Sequence, residues 1–286
     1  MQESLSLFDI MPGKKLGERF LVQGTSRQGG LSAVFSVLDE REGVECELQL
    51  FPGGMFDEPG EADDFVESWT RWQDVNSSLV ARVLDVVEIG SAKALVTEAP
   101  RGRSLRDLMD EGRKFNADEV VGLGLELCGG LSALHGRGLA HGDVKPKTIF
   151  IDETSGRLTP MIVDGGVTAG LWAAKRLGEH TALIGTPFYA PVEQFGGTAP
   201  DARSDVYNLA TVLYELCTGV LPWKGKSFLD IFQAKIQKSV TPMALRAPDV
   251  DVPEALEAAI VAGLTGDRNL RYPDAIRFGA ALTDLA

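Results

Sequence analysis

His141-Gly142-Asp143-Val144-Lys145-Pro146 lies between two stretches whose apolar residues recur at helical spacing. Upstream, Asn116 with Glu119 three residues on has the form of a capping box. Val120, Leu123, Leu127, Leu131 and Leu134 then mark one buried helix face. Downstream come Asp164-Gly165-Gly166, 21 residues after Asp143, then Gly185-Thr186-Pro187-Phe188-Tyr189-Ala190-Pro191-Val192-Glu193-Gln194, Ser204-Asp205-Val206-Tyr207 and Arg271. Asp205 opens a second helical pattern through Leu209, Val212, Leu213 and Leu216, which Gly219 and Pro222 bring to a stop.

Toward the N-terminus the period changes. Phe20 to Gln23 and Ser32 to Leu38 flank a loop containing Gly29 and Gly30 and read as a hairpin. In the next strand Val44, Cys46, Leu48 and Leu50 alternate with Glu45, Glu47 and Gln49, placing the two sets on opposite faces. On a solvated edge strand Glu47 and Gln49 would mean little. The strict alternation instead makes their face a functional one. An acidic stretch from Pro52 to Asp64 leads to an amphipathic helix expected over Phe65 to Val75.

In order and separation these pieces resemble a eukaryotic-like serine/threonine protein kinase of the bacterial type, over about residues 15 to 286. The resemblance implies an α+β, two-lobed fold. An extension over residues 1–14 would precede a small antiparallel-sheet lobe with one main helix (15–97), followed by a large, mainly helical lobe (98–286). Phosphoryl transfer requires a placed acceptor hydroxyl and cations that neutralise the transferring group. By resemblance Asp143 would orient the hydroxyl, Lys145 would sit by the phosphate and Asp164 would ligate the metal. His141, Glu193 paired with Arg271, and Asp205 beneath the catalytic loop would be architectural. Gly29, Gly30, Val34 and Glu98 would be what remains of the nucleotide site.

Other family positions are altered. Of the three glycines that let the hairpin loop approach phosphates, only Gly29 stands, with Arg27 and Ser32 in the other two places. Where the family reads Val-Ala-Ile-Lys, this chain reads Cys46-Glu47-Leu48-Gln49, replacing the lysine by Gln49 and the small adenine-facing residue by Glu47. Two unit charges about 4 Å apart interact by roughly 4 kcal/mol at an effective dielectric near 20. Loss of the lysine forfeits such an interaction, and a carboxylate there repels polyphosphate. Ser68 falls where the partner glutamate is expected, with Glu67 beside it. Thr148 replaces the asparagine that holds a second metal and is a poorer ligand for a hard cation. Gly142 replaces the arginine that pairs with a phosphorylated activation loop, and Gly165 the phenylalanine that toggles.

These departures point to a pseudokinase: a regulatory or scaffolding module that binds ATP weakly or not at all and needs no cofactor. The alternative is an atypical active kinase using Mg-ATP, with Asp143, Lys145 and Asp164 and with Arg27 as substitute cation. A protein partner is expected, and the segment after Trp223 offers Phe228 and Phe232 as docking candidates on a short helix. The net charge of -13 and sequence pI near 4.8 oppose nucleic-acid and anionic-membrane partners. Cys46, Cys128 and Cys217 lack metal spacing and suit a reducing compartment. No apolar run nears the roughly 20 residues of a membrane span. Met1 to Pro12 lack a signal peptide's basic flank, so a cytoplasmic location is expected.

Overall fold

The structure, a computed structural model, describes residues 10–28, 32–56, 58, 60–174, 187–225, 227–237 and 239–285. Gly29, Gly30, Gly185 and Thr186 lie outside the described residues, as does the side chain of Phe228. Two units divide the chain. One runs to Asn76 and resumes over Ala81–Pro100, and the other comprises Ser77–Val80 and everything from Arg101.

The first unit is a six-stranded antiparallel sheet with one helix. Its strands are Lys15–Leu16 (β1), Phe20–Gln28 (β2), Ala33–Asp39 (β3), Val44–Phe51 (β4), Val83–Ile89 (β5) and Ala92–Glu98 (β6), in spatial order β1-β2-β3-β4-β6-β5. β4 therefore lies inside the sheet, and both of its faces are covered. Cys46, Leu48 and Leu50 join Phe20, Val22, Phe35, Val37 and Val96 in one apolar core. On the opposite face, Phe51 meets the helix Glu61–Gln73 (α1), its ring 4.9 Å from Phe65 and 6.4 Å from Trp69. That helix starts four residues before the expected Phe65 because Glu61, Asp63 and Asp64 suit a first helical turn, where exposed N–H groups favour carboxylates.

The second unit carries Arg103–Ser104 (β7), Leu105–Asp110 (α2), Ala117–His135 (α3), Ile149–Asp152 (β8), Thr159–Ile162 (β9), Val167–Ala174 (α4), Val192–Phe195 (α5), Ala202–Thr218 (α6), Phe228–Gln237 (α7), Met243–Arg246 (α8), Glu254–Gly263 (α9) and Ala275–Thr283 (α10). β7, β8 and β9 form a small antiparallel sheet. Asn116 and Glu119 close the capping box at the head of α3. α6 is buried from Ser204 to Thr218, and the polar residues on one of its faces, Asn208, Thr211, Glu215 and Thr218, are hydrogen-bonded. Gly124 lets α3 close on its neighbours, since a Cβ there would stand 2.8 Å from Leu282 and 3.1 Å from Leu213. Ser77–Val80 belongs to this unit because Ile162 N–H donates to Leu79 O at 2.8 Å and Val80 bridges Ile162. Among the described residues no helix is long and apolar enough to cross a membrane.

Candidate nucleotide and phosphotransfer site

In the first unit the altered residues bond to one another. Residues Thr25 and Arg27 face Phe35 and Val34, so Ser26 is an extra residue in β2, a bulge that turns two neighbouring side chains toward β4. Both reach Glu47. Arg27 donates from Nη1 to Oε1 at 2.7 Å and pairs through Nη2 with Oε2 at 2.7 Å, while Ser26 Oγ donates to Oε1 at 2.5 Å. Beside them Gln49 Nε2 donates to Ser32 Oγ at 2.7 Å. Glu47 and Gln49 are only 3% and 7% exposed, so neither lies on a solvated edge. The Glu47 carboxylate and the Arg27 guanidinium are therefore directed at each other. Val34, also buried, sits in register between Arg27 and Gln49. Glu98 ends β6 opposite Cys46, half-buried, its N–H on Arg82 O. In α1, Ser68 Oγ donates to Phe65 O at 2.6 Å, and Glu67 faces solvent.

In the second unit the loop after α3 is held from below. Asp205 accepts from the backbone N–H of His141 and Gly142, both at 2.8 Å, and from His135 Nε2 at 3.0 Å. His141 donates from Nε2 to Val163 O at 2.8 Å and accepts the Asp143 N–H at Nδ1. Lys145 donates to the Asp143 carboxylate. The Thr148 hydroxyl, buried, accepts the Lys145 N–H at 3.0 Å and donates within reach of the Asp143 and Lys145 carbonyls at 3.2 and 3.1 Å. It is spent on the loop itself.

Asp164 is half-buried and left-handed (φ 59), a conformation costing a non-glycine residue about 1–3 kcal/mol and found where surrounding structure enforces it. Gly165 and Gly166 follow, and α4 begins at once. Gly142 is left-handed too (φ 83). A Cβ there would lie 3.0 Å from Pro200 and 3.4 Å from the Ala169 amide of α4, so the place of the missing arginine side chain is taken. Among the described residues no three His, Cys, Asp or Glu side chains gather as a metal site.

The segment after residue 186 is fixed more firmly than its sequence announces. Arg271 clamps Glu193 with two hydrogen bonds, 2.8 and 3.2 Å, and also donates to the carbonyls of Thr265 and Arg203. Arg106 and Tyr189 both donate to Glu215, at 2.8 and 2.5 Å, and Asn208 donates to Tyr189 O. Lys235, 4% exposed, gives its ammonium to the carbonyls of Pro187, Phe188 and Ala190 and sits over the Tyr207 ring. Arg106, Lys235 and the Tyr189 hydroxyl reach partners 26 to 109 residues away, and the only local signal was a lysine in an apolar run.

Burial pushes the Lys235 ammonium down to about 7, with Arg271 acting in the same direction and Glu193 against it. Below that pH the lysine is protonated whether the chain is folded or not. Between about 7 and the ordinary 10.5 only the unfolded chain keeps the proton, so stability rises with pH, by at most about 1.4 kcal/mol per pH unit. Urea melts of wild type against Lys235→Met should show the difference growing in the wild type's favour from pH 7 to about 10. A flat difference would remove this assignment.

A curled antiparallel sheet with one helix and a helical unit with a His-x-Asp loop, a left-handed Asp164 and a buried Glu193–Arg271 pair define the protein kinase fold. Residues 29–267 match the protein kinase domain family, and the chain belongs to it. It is 27% identical over 278 residues to the probable serine/threonine-protein kinase PknB of Corynebacterium glutamicum, covering 95% of this chain and 43% of that protein. It is 30% identical over 278 residues to the serine/threonine-protein kinase PknL of Mycobacterium tuberculosis, covering 97% of this chain and 68% of that one. The chain thus spans less than half of the first relative's length. The fold matches the Mycobacterium tuberculosis PknI kinase domain with TM-score 0.73 at 18% identity, over 97% of this chain and all of that one. It matches a structure of Rad53 in complex with AMP-PNP with TM-score 0.75 at 19% identity, over 91% and 64% of the two chains.

Proposed function

We propose that this chain is a pseudokinase domain, a regulatory or scaffolding protein-interaction module with weak or no ATP binding and no efficient phosphotransfer. The observation that carries this reading is the Arg27–Glu47 pair with Gln49 beside it: Arg27, the cation the alternative would put in the lysine's place, is held by a carboxylate, and Gln49 is held by Ser32. The residues present do not fit Mg-ATP. Asp164 is a single carboxylate, and the Thr148 hydroxyl is engaged within its own loop. The alternative, an atypical active kinase, draws on the retained Asp143, Lys145 and Asp164, but the Arg27 it requires is already engaged.

A protein partner and a cytoplasmic setting suit a chain of net charge -13. On α7 the docking candidates shift. Phe232 is half-buried and stacked on Phe195 at 5.1 Å, the side chain of Phe228 lies outside the described residues, and among the described side chains of α7 Leu229 and Ile236, 57% and 55% exposed, are the apolar members open to a partner. With magnesium and labelled ATP, incorporation into the protein itself or into generic protein substrates is expected to stay at background. Robust incorporation that Asp143→Ala abolishes would overturn the proposal.

A further inference from the structure

Three carbonyls converge on one nitrogen where α7 meets the segment 187–190. Lys235 Nζ reaches Pro187 O at 3.1 Å, Phe188 O at 3.0 Å and Ala190 O at 2.5 Å. An ammonium has three N–H donors and no lone pair, so each carbonyl is served by its own proton. A neutral amine has two N–H bonds and a lone pair. One of the three carbonyls then faces that lone pair and loses its donor. The Tyr207 ring at 5.1 Å and the Phe195 ring at 5.6 Å likewise attract the cation and not the amine.

The two ends of the segment are held differently. Tyr189 and Ala190 are buried, and Tyr189 is tied through its hydroxyl to Glu215 and through its carbonyl to Asn208. Pro187 is half-buried and Phe188 is 40% exposed, and among the described residues the only hydrogen bonds to either come from Lys235. A carbonyl released at this end can turn to water. The other ionisable groups facing the nitrogen are already committed. Glu193 of α5 and Arg271 pair with each other, and burial pushes the phenols of Tyr189 and of Tyr207 on α6 well above their ordinary value. On α7 itself Asp230 accepts the Ser227 N–H.

We infer that Lys235 is a proton-operated latch: with its third proton it holds Pro187 and Phe188 to α7, and on losing that proton it releases one of those two carbonyls while the nearer Ala190 stays bound. Burial that draws the ammonium down to about 7 sets the latch to work near neutral pH. The release is local: folding as a whole gains stability from about pH 7 upward, while residues 187 and 188 lose their fastener. The latch works the same way whether or not the chain transfers phosphate.

The test labels two peptide bonds of the full chain, each unique in the sequence, for nuclear magnetic resonance. Carbonyl-labelled proline with nitrogen-labelled phenylalanine marks Pro187–Phe188, and carbonyl-labelled phenylalanine with nitrogen-labelled tyrosine marks Phe188–Tyr189. Between about pH 5 and about pH 9 one of the two carbonyl signals should move, as a lost hydrogen bond requires, with its midpoint near 7. In Lys235→Arg, whose side chain keeps its charge throughout, both should stay still. Should that variant fail to fold, as a melting scan reveals, the side-chain nitrogen signals of the lysines in the wild type serve instead, and one of them must titrate with the midpoint of the carbonyl. Two still carbonyl signals in the wild type, a shift that persists in folded Lys235→Arg, or lysines that all remain protonated across the range would each overturn the inference.

Discussion

The quadruple variant Arg27→Gly, Glu47→Ala, Gln49→Lys and Thr148→Asn is expected to gain a magnesium-dependent melting shift with ATP that the wild type lacks. Glu47→Ala removes the carboxylate and the acceptor for Ser26, and Arg27→Gly removes the guanidinium this would strand. Gln49→Lys then restores a cation on the same face of β4, and Thr148→Asn offers a carbonyl where a hydroxyl is now consumed by its own loop. A ligand at about 100 times its dissociation constant stabilises the native state by about 2.7 kcal/mol, a shift of several degrees at this size. Adenosine should do no worse than ATP on the wild type, because the loss falls on phosphate recognition. A folded quadruple variant indifferent to Mg-ATP would show that the defect lies elsewhere. A clear shift in the wild type at millimolar Mg-ATP would favour the active-kinase alternative.

The second large effect belongs to Arg271. Its side chain is wholly buried, and Arg271→Met leaves the Glu193 carboxylate and several carbonyls without their donor. Removing one partner of a buried ion pair costs about 3–5 kcal/mol, which for a protein of this size lowers the melting temperature by roughly 10 °C. The double variant Arg271→Met with Glu193→Gln should lose less than the sum of the two single changes, since the stranded charge is gone. Additive losses, or a fall of only a degree or two, would contradict the pairing energy assigned here.

Much of this was legible because it is periodic or repeats a spaced pattern. The alternation from Val44 to Leu50 placed Glu47 and Gln49 on one face, and five separated motifs in register marked the helical unit. The meeting of Arg27 with Glu47 was not legible. It depends on one extra residue, Ser26, which shifts the pairing of β2 against β3, and simple alternation has no way to count a bulge. The early start of α1 was obscured for a related reason, since its acidic first turn reads as loop composition. Lys235, Arg106 and Tyr189 were missed because nothing near them in sequence hints at partners so far along the chain.

The Asp205 carboxylate has a consequence for the time the loop spends open. It binds the His141 and Gly142 amides and, through His135, whose Nδ1 accepts the Ala275 N–H, it is tied to the first turn of α10. Amides in a surface loop ordinarily trade their protons for deuterium within seconds, whereas these two can do so only when α3, α6 and α10 separate. Their exchange should therefore run as slowly as that of the central helix and speed up when Asp205→Asn weakens the tie. The loop residues at 141 and 142 would then act as clocks for opening of the whole helical unit.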